Sequence, residues 1–389
     1  MFLPMGICQD NREYLLKGMA DIQMERNEAA IENLTLYLET DNTNHLAYLF
    51  RAEAHFNLKN WNKAVSDFET ANSIKPGSGN LGLARAYAST GDATLAVQHL
   101  ENHLRSEYRV PEKVIFLDKT FEKIEDSREW RNLWRNDWYS DREHILRDLE
   151  YLIGNEAYEE ALGVLKEAIQ KYPENDEFHS QKARIHVARL EFKQALSEYD
   201  LALKYRDDHP DYLAGKAEVL HNLKRSREAI TALNRAIYVN PLRLDLYPVR
   251  ARLYFESGEL SRALDDIETY LAYFTGEEEA LYLSGRINQE MGKYYPALDR
   301  FNQLIQSNSG NPRNFFARGM AYLEAGTYRY AIEDFGMALD LDPSDPLTYL
   351  NRGKAFIEIG DVDAACYDFD KARRKGNKEA YNLYYKHCE

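Results

Sequence analysis

Cysteine is scarce, three in 389 residues at Cys8, Cys366 and Cys388, too few for a disulfide-built scaffold or a multi-cysteine zinc cluster. Proline is scarce as well, at 11, so little interrupts helices. No stretch approaches the roughly 18 consecutive apolar residues that a membrane-crossing helix needs. Positive charge is in deficit: 49 Lys and Arg face 64 Asp and Glu, a net charge of −15. Nucleic-acid backbones and anionic membrane surfaces reward the opposite balance, so neither is expected as the main partner. Catalytic signatures are lacking: no nucleophile-elbow motif accompanies the Ser, His and Asp residues, so neither an enzyme nor a cofactor is expected. What is plentiful is apolar surface, with 44% hydrophobic residues and 28 tyrosines, which excludes wholesale disorder.

Those apolar residues recur with a fixed period. An alanine is followed four residues later by a large apolar or aromatic residue and seven later by a second alanine: Ala64/Phe68/Ala71, Ala161/Leu165/Ala168, Ala195/Tyr199/Ala202, Ala229/Leu233/Ala236, Ala331/Phe335/Ala338 and Ala365/Phe369/Ala372. Weaker copies begin at Ala30, Ala96, Ala263 and Ala297, and from Ala161 to Ala365 the step is 34 residues, six times without an insertion. A second apolar set precedes each anchor, as in Phe315/Gly319/Tyr322 and Tyr349/Gly353/Phe356. These spacings place each set on one helical face, with a small residue where a neighbouring helix approaches closely. Gly91, Gly258, Gly292, Gly326 and Gly360 mark the turns between helices, and Pro76, Pro173, Pro241 and Pro343 follow the second helix. Glycine supplies the left-handed conformation of a helix C-terminus, and proline has no N–H to continue the ladder.

At these residues the chain resembles the tetratricopeptide repeat family, over roughly Arg12 to Lys375. The resemblance implies an all-α fold: a right-handed α-solenoid of about eleven stacked helix-turn-helix units, one degenerate, closed by a capping helix over 377–389. It divides the chain into an N-terminal lobe (11–103), a degenerate Trp-rich repeat (104–141) and a regular C-terminal lobe (142–376). The pattern departs from the family where the anchor alanine is missing between His103 and Glu143, and at Leu149, where a bulky residue fills a small slot. In the degenerate repeat Trp130, Trp134 and Trp138 fall at i, i+4 and i+8 on an expected helix starting after Asp126-Ser127. They either fill a wide packing gap or form an aromatic docking patch.

The family resemblance also implies a concave groove lined by the first helices. Its slots read Ser180 and Arg184, Ala214 and Glu218, Pro248 and Arg252, Tyr282 and Arg286, Phe316 and Met320, Leu350 and Lys354. None of these repeats has Lys then Asn, the pair with which the chaperone-tail binders clamp a terminal carboxylate. Arg184, Arg252 and Arg286, with Tyr282, Phe316, Met320 and Lys354, instead suggest a groove for a partner segment carrying acidic and apolar residues. The function expected is a non-catalytic interaction scaffold or adaptor; the alternative is a structural accessory subunit of an envelope secretion or assembly complex.

Three further patterns read as structure. Gly77-Ser78-Gly79-Asn80-Leu81-Gly82 matches a dinucleotide fingerprint but follows a helix rather than a strand. His99 and His103 share a helical face, yet no Glu follows His99 and His103 occupies a packing slot, so no metal is expected. The basic run Lys371 to Lys375 suits a helix C-terminus. Residues 1–10 resemble the tail of a bacterial secretory leader but lack its basic start, with a lipid anchor at Cys8 as another option. The pattern Ala365-Cys366-Tyr367-Asp368 followed by Cys388 resembles repeat proteins of the Bacteroidota. Export would let Cys366 and Cys388 pair; a cytoplasmic chain would keep them reduced. Export is slightly favoured.

Overall fold

The computed structural model describes residues 7–388, with side chains from Arg12 onward, so the leader reading of residues 1–10 lies outside the described side chains. Among the described residues there are 23 α-helices, one short 3-10 turn and no strand. They form eleven helix-turn-helix units, one of them degenerate, and a closing helix Lys378–His387. The alanine periodicity explains why. All ten anchor alanines, from Ala30 to Ala365, are fully buried, and the large residue four positions on fills the interior of the pair: Leu165, Leu233, Phe335 and Phe369 are equally buried. That large residue also explains the small slot of the partner helix. A Cβ added at Gly353 would stand 2.6 Å from the Phe369 ring, closer than packed carbon atoms tolerate.

Turns follow the expected chemistry. Gly91, Gly258, Gly292, Gly326 and Gly360 all have positive φ. In the other repeats Glu25, Lys59, Glu156, Leu190 and Lys224 take the same left-handed conformation with a side chain attached. The second helices end at Ile74, Lys171, Val239 and Leu341, each two residues before its proline.

The chain falls into two compact units, Met1–Val219 and Leu220–Glu389. The first contains the degenerate repeat, which is three short pieces: Glu112–Phe116, Lys119–Phe121 and Arg128–Leu133. The helix expected to carry three tryptophans stops at Leu133, so Trp138 returns through a turn rich in Asn and Asp, residues whose side chains compete with the helix ladder. Its indole Nε1 donates to the Leu133 carbonyl at 2.9 Å. Trp130 is buried against Phe121, ring centroids 5.4 Å apart, and Trp134 and Trp138 pack half-buried on the same core. Leu149, the bulky slot residue, is fully buried among Leu165, Phe178 and Ile185.

In the second unit, Cys366 Sγ and Cys388 Sγ are bonded at 1.98 Å, joining helix Val362–Arg374 to the closing helix. The basic run at that helix end is folded back on itself, Arg373 and Arg374 both reaching Asp370 at 2.6 and 2.7 Å. A second periodic feature runs beside the apolar one. Arg51–Asp67, Arg250–Asp266, Arg318–Asp334 and Arg352–Asp368, each 16 residues apart, tie first helix to second.

Candidate functional site

A concavity of about 940 Å³ lies within the first unit. Its walls begin with the degenerate repeat, which contributes Arg109, Pro111, Glu112 and Tyr139. Helix Asp141–Gly154 adds Glu143, His144, Leu146, Arg147 and Glu150; helix Asp176–Ala188 adds Glu177, Ser180, Gln181, Arg184, Val187 and Ala188. Tyr199, His209, Asp211, Tyr212 and Glu218 close the far side.

One arginine fixes the junction between degenerate and regular repeats. Arg109 donates through Nε and Nη2 to the Glu143 carboxylate at 2.7–3.0 Å, and through Nη1 to the Trp138 carbonyl at 2.8 Å. Glu143 also caps its own helix in a capping box with Ser140. Burial would raise the Glu143 carboxyl, but bonds from Ser140 and Arg109 outweigh it and hold the group below the usual range. Tyr139 donates to the Val110 carbonyl at 2.9 Å, and burial raises its phenol. Arg147 pairs with Glu112 at 3.3 Å, and Lys113 pairs with Glu150.

Opposite this braced wall the groups are less engaged. Arg184 donates to Gln181 Oε1 at 3.0 Å and makes no ion pair among the described residues. Glu177 is exposed, and among the described residues its carboxylate accepts no hydrogen bond and makes no ion pair; partial desolvation, then Asp176 next to it, lifts the group, while Arg142 and Arg206 act against the lift. Tyr199 is 6% exposed, its hydroxyl makes no hydrogen bond among the described residues, and burial pushes its phenol up to about 12. Tyr212 donates to Asp176 at 2.9 Å and stacks on His209 with centroids 3.9 Å apart. Burial, then Arg206, holds the His209 imidazole below its usual range.

The structure gathers Ser180, Arg184 and Glu218, three of the groove-slot residues, around this cavity. Ala214 lies in the first unit but is not part of the cavity lining, and the remaining slot residues lie in the second unit, most with partners of their own. The Arg313 guanidinium sits 3.6 Å over the Tyr282 ring and pairs with Glu279; Arg286 approaches Glu290 at 3.7 Å; Lys354 pairs with Glu379 at 2.7 Å. Phe316 and Met320 pack half-buried against Phe335, and Phe316 also edges a cleft of about 250 Å³. Arg252 is exposed and makes no ion pair among the described residues. Tyr199, Glu177 and Tyr212 escaped the sequence reading. Tyr199 occupies an anchor position where packing is the default, and nothing in the repeat pattern singles out a helix-entry Glu.

The glycine-rich stretch is a packing feature. A Cβ at Gly79 would stand 2.2 Å from the Phe68 carbonyl oxygen and one at Gly82 2.3 Å from the Phe68 ring. His99 stacks on Tyr87 and His103 is buried; no group of three or more metal-ligating side chains occurs among the described residues. No described helix is long and apolar enough to cross a membrane.

Models of the tetratricopeptide repeat match residues 152–219, 210–241 and 279–310, and a TPR repeat model matches 319–360. A tetratricopeptide repeat protein from Parabacteroides merdae is 21% identical over 64% of this chain and 98% of its own, with a TM-score of 0.48. The C-terminal part of a TPR protein from Cytophaga hutchinsonii is 14% identical over 61% of this chain and 98% of its own, with a TM-score of 0.53, a likeness of fold. No curated protein matches the sequence.

Proposed function

We propose, from the premise that this chain belongs to the tetratricopeptide repeat family, that it is a non-catalytic scaffold holding a segment of another protein against its first helices. The family's fold supports a protein-interaction role in general. The observation that carries the finer reading is the first-unit cavity, large enough for several residues of an extended chain, braced on one wall by Arg109–Glu143 and lined on the other by Glu177, Ser180, Gln181 and Arg184. Arg252, exposed and without an ion pair among the described residues, is where an acidic stretch of a partner would be gripped in the second unit. The Cys366–Cys388 bond favours an oxidising compartment outside the cytoplasm.

Co-purification from the native source tests this reading. Ala188, exposed at the cavity wall, tolerates enlargement, so Ala188→Trp is expected to fill the cavity and lose a stoichiometric partner while the thermal melt is unchanged. Retention of the same partner by Ala188→Trp would remove the cavity from the account. Charge reversal at Arg252 and Arg286 that left partner affinity untouched would remove the second-unit contact.

A further inference from the structure

Going beyond the cavity, we infer that the junction between the degenerate repeat and helix Asp141–Gly154 is a second docking surface, one that takes an amphipathic helix of a partner protein against Leu117 and Tyr151. Regular packing sets the expectation. Two residues beyond the small slot, first helices meet the second helix of the preceding repeat: Ala86 packs with Phe68, Ile185 with Leu165 and Ala355 with Phe335. These residues, and Leu253 and Ile287 at the same position, are 0–3% exposed. Tyr151 holds that position next to the degenerate repeat and is 72% exposed. Helix Asp141–Gly154 accordingly buries one side chain, Leu149, where the next first helix, Asp176–Ala188, buries five.

The covering helix is displaced for a reason visible in the core. Helix Arg128–Leu133 is short, and its Trp130 and Leu133 turn back onto Leu100 and Leu104 of the preceding repeat. The pairs that cross the junction are polar: Arg109–Glu143, Arg147–Glu112 and Lys113–Glu150. The last of these also brings the two exposed apolar side chains to one side. Leu117, 75% exposed, lies one turn beyond Lys113, and Tyr151 follows Glu150 directly. Phe116, half-exposed with its ring on Trp134 at a centroid distance of 4.6 Å, extends the patch over the degenerate repeat. The occupant is an α-helix because a second helix covers this position elsewhere in the chain, and here the chain's own second helix packs the other way. Its contact stripe is apolar. Lys113, Arg147, Glu112, Asp148 and Glu150 are already paired within the protein, so they give an acidic or a basic helix no advantage.

The test is fluorescence anisotropy on the full chain with a labelled, lactam-bridged helical peptide of the sequence Tyr158–Lys171, the second helix that covers Ile185 in the next repeat. The bridge is needed because a free helix of that length is marginal in water. Saturable binding is expected, changing less than about twofold with added salt because no ion pair forms. Tyr151→Glu and Leu117→Glu, both at exposed positions, are each expected to weaken it at least about tenfold with the thermal melt retained. Ala188→Trp is expected to leave it unchanged, which separates this surface from the cavity. No binding, equal binding by a scrambled peptide, or full binding by either glutamate variant overturns the inference. So does loss of binding in Ala188→Trp, which would put the peptide in the cavity. Self-association of the parent chain that Tyr151→Glu abolishes would give the surface to a second copy and overturn the partner helix.

Discussion

Arg318 holds Asp334 with two parallel bonds, Nε to one carboxylate oxygen and Nη2 to the other, each 2.7 Å, across a single helix pair. Its remaining Nη1 donates to Asn302 at 2.7 Å, on the second helix of the preceding repeat. One guanidinium thus joins three helices. Arg250 does the same with Asp266 and Asn234, and Arg51 with Asp67 and Thr35. In the repeat between Arg250 and Arg318 the rung is redrawn: Glu268 accepts from Ser284 and from Arg300, both at 2.6 Å. An array whose units are individually unstable depends on its interfaces, and these rungs give each interface a directional element beside its apolar one.

Arg318→Ala is expected to cost about 3–5 kcal/mol, because Asp334, 4% exposed, is left as a buried charge without its partner. Replacing the pair together, Arg318→Met with Asp334→Leu, should recover most of that loss. Hydrogen exchange over 312–341 reads both. Equal damage from the single and the double change would contradict a stranded charge as the cause.

The last rung is incomplete. Arg352 binds Asp368 through Nε and Nη2 at 2.8 Å, but the position that offers Asn302 to Arg318 is here Gly336, with Arg352 Nη1 3.8 Å from where its Cβ would be. Gly336→Asn supplies the missing acceptor and removes a helix-interior glycine. A gain of about 1 kcal/mol in thermal or urea unfolding is expected. A loss would mean that the rung geometry does not transfer between repeats.

His103 makes the first unit sensitive to acid. It is 2% exposed, Nε2 accepts from the Val110 N–H at 3.2 Å, and burial followed by Arg109 lowers its pKa from 6.5 to about 4. Above pH 6.5 the ring is neutral folded or unfolded and contributes nothing to pH dependence. Between 6.5 and about 4 the unfolded chain takes a proton that the folded chain refuses, so stability falls with pH, by about 3 kcal/mol across the window. All four tryptophans lie in the first unit, so indole fluorescence during urea unfolding follows it alone. His103→Gln keeps an acceptor for Val110 and is expected to flatten the slope; an unchanged slope would assign the acid sensitivity elsewhere.

The closing helix is secured covalently and by packing, with Ala380 fully buried and Arg373 4.2 Å over the Tyr384 ring. The bond closes a loop of 22 residues, worth about 3 kcal/mol in the chain-entropy model. Cys388→Ser should therefore raise proteolytic and exchange sensitivity over 378–388, and a reductant should do the same to the parent chain. Unaltered protection in both would show that packing alone holds the helix.

The repeats were legible because the same few contacts recur: Ala331, Phe335 and Gly319 carry one packing solution that appears at each 34-residue step. The Arg–Asp rungs recur with that period too, at fixed positions beside the small slot and the large anchor, and reading charged as well as apolar spacings would have found them. The degenerate repeat was less legible. Nothing local fixes where a helix with Trp130 at its centre stops, and the inward turn of Trp138 follows from a core that Phe121 and Ile124 complete. The cavity was hidden for a related reason. Slots nominate Ser180, Arg184 and Glu218, but which of them face an open space depends on the irregular wall of Arg109 and Tyr139.

Site-specific photocrosslinking in the native source tests the central claim most directly, with the reactive group at Gln181 in the cavity wall and, as control, at Tyr295, 89% exposed on a second helix. One short partner segment attached at Gln181 and absent at Tyr295 is the predicted result. Attachment at Tyr295 alone, or the same products from both positions, would contradict a scaffold that works through its first-helix cavity.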